Sequence, residues 1–195
     1  MTDWPGAVAP WTLTARSGDP ICAAPMMIAD TLTLPPLAPE RPADAAAVEA
    51  LIARAFGPGR YAKAAERLRE HNQPIPDLSF VARAGGGVVG CVRQWPVRIG
   101  EKDAVFLGPI AVDEVWRHHG LGAALVKRAG DAARAAGHDL ILLVGDTPLF
   151  RRMGFDAEPA RHVVMPGPVD QRRVQVKALR PGADDNLAGL VVIAR

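Results

Sequence analysis

Seven consecutive residues, Arg117-His118-His119-Gly120-Leu121-Gly122-Ala123, set a cation, two histidines and two glycines at the start of a helical pattern. Backbone N–H groups in the first turn of a helix lack an intrahelical acceptor, and the helix dipole favours negative charge beside them. Glycine removes the Cβ atoms that hold a phosphate away from such amides. The chemistry open to residues 117–123 is therefore anion binding, and their arrangement reads as a pyrophosphate cradle. Against it stands an ordinary βα loop that binds nothing. His118 and His119 read as loop residues that contribute amides, and Arg117 as a neutralising charge. Asp146 stands at the C-terminal end of a buried strand, where open α/β sheets bind ligands. It is read as either a helix cap before Thr147-Pro148 or a proton acceptor, with His119 and His138 as weaker bases.

Those residues need elements to position them. Residues 104–112, Ala-Val-Phe-Leu-Gly-Pro-Ile-Ala-Val, read as the end of a buried strand spanning 103–112. Gly108-Pro109 inside it is odd for a continuous ladder, because Pro lacks a donor and Gly marks bulges. Leu121, Ala124, Leu125, Ala129, Ala132, Ala133 and Ala136 follow helical spacing, and Gly137 stops the helix. Residues 140–144, Leu-Ile-Leu-Leu-Val, form an unalternating strand, as expected when both faces are covered. Strand, helix and strand make a βαβ unit with parallel strands. A bulge at Gly108-Pro109 predicts that these two strands part in a V. Pro148 to Met153 reads as a short helix ending at Gly154-Phe155.

Upstream, residues 31–37 read as an edge strand cut by Pro35 and Pro36. Asp44 is placed to cap a helix carrying Val48, Leu51, Ile52 and Ala55, ended by Gly57-Pro58-Gly59. Tyr61, Ala64, Ala65 and Leu68 predict a second amphipathic helix, stopped before Pro74. Residues 78–84 and 88–97 read as a hairpin turning at Gly85-Gly86-Gly87. Trp95 and Trp116 either line a cleft or pack in the core. Downstream, residues 162–165, 172–179 and 190–193 read as strands.

The whole chain bounds the function class. Its 195 residues fit one domain, 32–195, behind a loosely packed tail, 1–31. A hydrophobic fraction of 49% can bury a core. With 23 basic and 21 acidic residues the net charge is +2, which gives no reason to expect a nucleic-acid or membrane partner. Cys22 and Cys91 form no metal-ligand pattern and point to a reducing compartment. No apolar run reaches the ~20 residues of a membrane span. Residues 1–30 lack the pattern of a signal peptide, so a cytoplasmic protein is expected. Met26 and Met27 are alternative starts.

Arg117-x-x-Gly120-x-Gly122 resembles the acetyl-CoA motif of the GCN5-related N-acetyltransferases (GNAT), which is Arg or Gln, two residues, Gly, one residue, then Gly or Ala. Ile110-Ala111-Val112 stands where that family's strand runs alongside pantetheine. Phe150-Arg151-Arg152-Met153-Gly154-Phe155 resembles its closing aromatic-x-x-x-Gly-Phe signature. The resemblance covers roughly residues 32–155. It implies an α/β (mixed α+β) GNAT fold: a central, mostly antiparallel twisted sheet of about six to seven strands, with a parallel pair split in a V, flanked by about four helices. It implies acetyl-CoA as cosubstrate, no metal, and transfer of acetyl to an amine of a small molecule or protein by direct attack. The implied cosubstrate-binding residues are Ile110, Ala111, Val112, Arg117, His118, His119, Gly120, Leu121, Gly122, Ala123 and Phe150. Asp146 is the candidate base.

One departure matters. The family often has a Tyr where Phe150 stands, donating a proton to the leaving thiolate, and Phe150 has no hydroxyl. A catalytically weak acyl-CoA-binding protein is therefore the alternative. A dinucleotide-binding Rossmann unit fits less well. Its third glycine is Leu125 here, and Gly120 lies eight residues after Val112 instead of at the strand end. Acceptor specificity is expected in residues 56–76 and beyond 155, and the protein as a monomer or homodimer.

Overall fold

A computed structural model describes residues 33–194. The tail expected at 1–31 lies outside them. Along the chain come β1 (Leu37–Pro39), α1 (Ala45–Phe56), α2 (Ala64–Arg67), β2 (Phe80–Ala84), β3 (Gly87–Ile99), β4 (Lys102–Val112), α3 (Leu121–Ala135), β5 (Leu140–Val144), α4 (Thr147–Arg151), β6 (His162–Val164), β7 (Val174–Ala178) and β8 (Ala188–Ile193).

The strands form one sheet in the order β1-β2-β3-β4-β5-β7. Pairings along it are antiparallel except β4 with β5. β3 is long enough to take β2 along its first half and β8 at residues 97–99 on the same edge. β8 in turn pairs β6 in parallel. Among the described residues the sheet has eight strands, close to the expected six to seven, and a second parallel pair joins the first.

Alternation along β4 explains the layers. Ala104 and Phe106 point into one core with Trp95, Val97, Leu142 and Val176. Val105 and Leu107 point the other way, against Leu121, Leu125, Ala129 and Ala133 of α3. At Gly108-Pro109 the alternation slips: two residues of β4 oppose Arg93 alone, between the pairs Val92–Ile110 and Gln94–Leu107. This is the expected bulge, and its peptide bond is cis. Past it, Ile110 and Val112 face the α3 side, while Ala111 turns to α1 beside Val48, Leu51 and Cys91.

Three local readings need correction. Thr33 to Pro36 form no strand, because Pro35 and Pro36 cannot donate to a ladder, and pairing starts at Leu37. Asp44 sits at the cap position of α1 without capping it. Its carboxylate instead accepts from the Arg41 N–H at 2.7 Å and from the guanidinium of Arg83. The second amphipathic helix shrinks to a 3-10 turn, Pro58–Ala62, and one α-turn. Lys63 between them is extended, with φ −84 and ψ 144.

Candidate active site

The loop ahead of α3 is built by short local bonds. Asp113 Oδ1 accepts from the Val115 N–H at 3.3 Å and starts the 3-10 turn Glu114–Trp116. His118 then takes φ 66, and Gly120 takes φ 85 with ψ 0. Only Gly adopts that left-handed conformation without a Cβ penalty. α3 begins immediately after, with Ala124 N–H on Gly120 O at 3.0 Å. Among the described residues, no backbone acceptor takes the N–H groups of 118–123. The space beside Gly120 is open, since a Cβ built there meets nothing within 4 Å. These residues thus present a row of free donors at a helix start, a fit for a doubly charged phosphate ester. The Arg117 side chain lies back on the end of β4, Nε donating to Val112 O at 3.3 Å. His118 and His119 are exposed.

β4 and β5 pair only at Val105–Ile141 and Phe106–Leu142. Beyond that point each strand is held by its outer neighbour. β4 stays on β3 as far as Val112–Gly90, and β5 stays on β7 as far as Val144–Val174. The inner edges part in the expected V. Trp95 fixes the bulge at the opening: its indole N–H donates to Gly108 O at 2.6 Å. A cleft of about 520 Å³ fills the split, with Leu107 and Ile110 on one wall and Leu143, Val144 and Phe150 on the other. The end of β4 meets the loop ahead of α3, because a Cβ on Gly122 would touch Val112 Cγ2 at 3.7 Å. Ala111 offers the cleft no side chain, being packed against α1.

At the β5 end, Gly145 permits the wall to form. Any Cβ there would collide with the Phe150 ring, coming within 2.6 Å of Cδ2 and closer still to Cε2. Phe150 meets Phe155 edge to face, centroids 5.9 Å apart. Asp146 lines the cleft and caps α4, with Oδ1 accepting from the Leu149 N–H at 3.0 Å. Its side chain is exposed. Neither His119 nor His138 lines the cleft. Opposite, α2 and its flanks bring Arg60, Lys63 and Arg69 to the cleft. Burial lowers the guanidinium pKa of Arg69, with Glu66 opposing the shift. Cys91 is buried, which pushes its thiol up to about 12, so it is no nucleophile here.

A family model described as an acetyltransferase (GNAT) domain matches residues 76–157. Uncharacterized N-acetyltransferase YhbS of Escherichia coli K12 is 32% identical over 155 residues, covering 78% of this chain and 92% of its own. The chain belongs to the GNAT acetyltransferase family. The crystal structure of Escherichia coli YhbS in complex with CoA superposes with a TM-score of 0.71 at 30% identity, over 83% of this chain and 90% of that one. A Brucella melitensis GNAT acetyltransferase in complex with acetyl-CoA gives a TM-score of 0.60 at 28% identity, over 82% and 95%.

In this GNAT, two residues with clear structural work escaped the sequence reading. Gly145 carried a signal, a glycine directly after an apolar strand. Arg69 carried none, because one more arginine in a charged stretch looks like a solvated face. Trp95, read as either lining a cleft or packing in the core, packs in the core beside the bulge. Among the described residues no cluster of three or more His, Cys, Asp or Glu could hold a metal, and no helix is long and apolar enough to cross a membrane.

Proposed function

We propose that this GNAT moves an acetyl group from the acetyl-CoA thioester to a primary amine, inside the β4–β5 split. The observation that carries the reading is the junction of two features at the end of β4: an inner strand edge left free beyond Phe106, and the unengaged amides of 118–123 beside Val112. The thioester supplies an activated acetyl carbon. In this reading the amides of 118–123 hold the pyrophosphate, and the backbone of Ile110, Ala111 and Val112 receives the amides of pantetheine as a strand would. The Val112 carbonyl is already taken by Arg117, so Arg117 acts by shaping the strand end. Phe150 walls the thioester pocket.

The neutral amine nitrogen attacks the acetyl carbon, a C–N bond forms, the C–S bond breaks, and sulfur leaves as thiolate. The ammonium proton goes to Asp146, whose Oδ1 is bound to the Leu149 N–H while Oδ2 has no partner among the described residues. Holding both reactants in the cleft supplies most of the acceleration. The free thiol Cys91 fits a cytoplasmic, reducing setting.

Phe150 favours a second reading, a CoA binder with little turnover, because no hydroxyl stands in its place to protonate the thiolate. Calorimetry with CoA and thiol release with acetyl-CoA over an amine panel separate the two. The transferase reading expects binding and turnover. It also expects Phe150→Tyr to raise kcat by about tenfold at unchanged CoA affinity, restoring an acid. Tight binding with no turnover by either protein contradicts it.

A further inference from the structure

Four arginines in this chain invite comparison by how they use the Nε–Nη2 edge of the guanidinium, the edge that matches a carboxylate with two parallel bonds. Arg93 puts Nε and Nη2 on the two oxygens of Glu40, at 2.9 and 2.6 Å. Arg172 does the same with Asp170, at 3.0 and 2.8 Å. Arg83 does so with Asp44. Arg69 does not. Its Nη1 donates to Glu66 at 3.0 Å, and among the described residues neither Nε nor Nη2 has an acceptor.

That edge is not in open water. The Arg69 side chain is 16% exposed and its Nε is fully buried. Its guanidinium lies over the Phe106 ring at 5.4 Å, and Nη2 lies 3.3 Å from a Cβ built on Gly108. Phe106 is the last residue of β4 that pairs with β5, and Gly108 opens the bulge. Arg69, Phe106 and Gly108 all line the cleft, so Nη2 stands at the apex of the split with the unpaired Nε buried behind it. Leaving the Nε donor of a charged group buried and unpaired costs free energy, and native exceptions call for an explanation. Arg60, Lys63, Arg69 and Arg173 line the cleft against Asp146 and Asp170, so cations outnumber carboxylates there. Glu49 pairs Arg60, Glu66 pairs Arg69 through Nη1, Arg172 holds Asp170, and Asp146 gives one oxygen to the α4 start.

We propose that the acceptor is a small amine bearing a carboxylate, an amino-acid-like molecule, and that the Nε–Nη2 edge of Arg69 binds that carboxylate beside the reacting amine. The inference rests on the acetyltransferase reading above. It excludes polyamines and other purely cationic amines as preferred acceptors, since Lys63 and Arg69 repel them. Arg69 is then the specificity-determining residue, and the carboxylate fixes which way the amine points.

The test is calorimetric titration of the CoA-saturated protein with L-amino acids, each paired with its own primary amide, and with spermidine. Thiol release from acetyl-CoA is followed on the same pairs. In at least one pair the acid is expected to bind about tenfold or more tightly than its amide, the worth of a bidentate charge-assisted contact. Arg69→Gln should erase that difference with CoA affinity and Tm retained. Arg69→Lys, which keeps the charge without the fork, should lose most of it, and it decides the matter if the Gln variant does not fold. The inference is overturned if acids and amides bind alike, including when neither binds, or if spermidine binds best. It is also overturned if Arg69→Gln lowers kcat evenly for every amine and leaves the pair difference standing, which assigns Arg69 to the thioester. Failure of the wild-type protein to bind CoA strikes the acetyltransferase reading itself and takes this inference with it.

Discussion

Asp146 spends one carboxylate oxygen on the Leu149 N–H and leaves the other unengaged, so capping and proton transfer compete for a single side chain. Two substitutions divide them. Asn caps as well as Asp, whereas Ala does not cap. Asp146→Ala should cost about 1 kcal/mol of stability, and Asp146→Asn only a few tenths, measured by denaturant unfolding. If the carboxylate takes the ammonium proton, Asp146→Asn lowers kcat about a hundredfold while the fold is kept. Unchanged turnover in the Asn variant removes the base role and leaves the cap.

At the scale of elements, the loop before α3 separates two glycines that look alike in sequence. Gly120 is held at φ 85, and Gly122 lies inside the first helical turn with ordinary room for a methyl. Gly120→Ala should cost about 1–2 kcal/mol and weaken CoA binding, because the amides lose their orientation. Gly122→Ala should stabilise the protein by a few tenths to about 1 kcal/mol and keep CoA affinity. Thermal unfolding and calorimetry on both variants check the contrast. The βαβ unit, the bulge and the V were legible because Gly108-Pro109, the α3 face and the apolar run 140–144 each carry a local signal. The length of α2 was not. Apolar spacing from Tyr61 to Leu68 reads as helix, but Lys63 turns extended between two short turns, and Tyr61 ends up exposed. The pairing of β8 with β3, some ninety residues upstream, leaves no local pattern. The Asp44 cap failed for a similar reason: Arg83, distant in sequence, competes for the same carboxylate.

For the whole molecule, a chain of ion pairs ties α1 to the sheet behind the bulge. Arg93, opposite Gly108-Pro109, holds Glu40 and Glu49 each at 2.6 Å, and Arg60 at the cleft rim shares Glu49 at 3.2 Å. Burial raises the Glu49 pKa, but hydrogen bonds from Arg93 and Arg60 outweigh it, and the net shift is downward from 4.5. A carboxylate depressed in the folded state contributes stability that is complete above its unfolded value and lost as pH falls through the folded one. Tm followed from about pH 6 to about pH 3 should therefore fall more steeply for the wild type than for Glu49→Gln. Parallel curves would show that the network adds nothing. The same sheet, held on both outer edges and open within, is the ground for the functional reading. A crystal structure with acetyl-CoA bound tests it most directly. The account predicts the pyrophosphate within hydrogen-bond distance of the 118–123 amides, pantetheine along Ile110 to Val112, and the thioester beside Phe150. Acetyl-CoA bound elsewhere, or β4 and β5 closed into continuous pairing past Phe106, would contradict it.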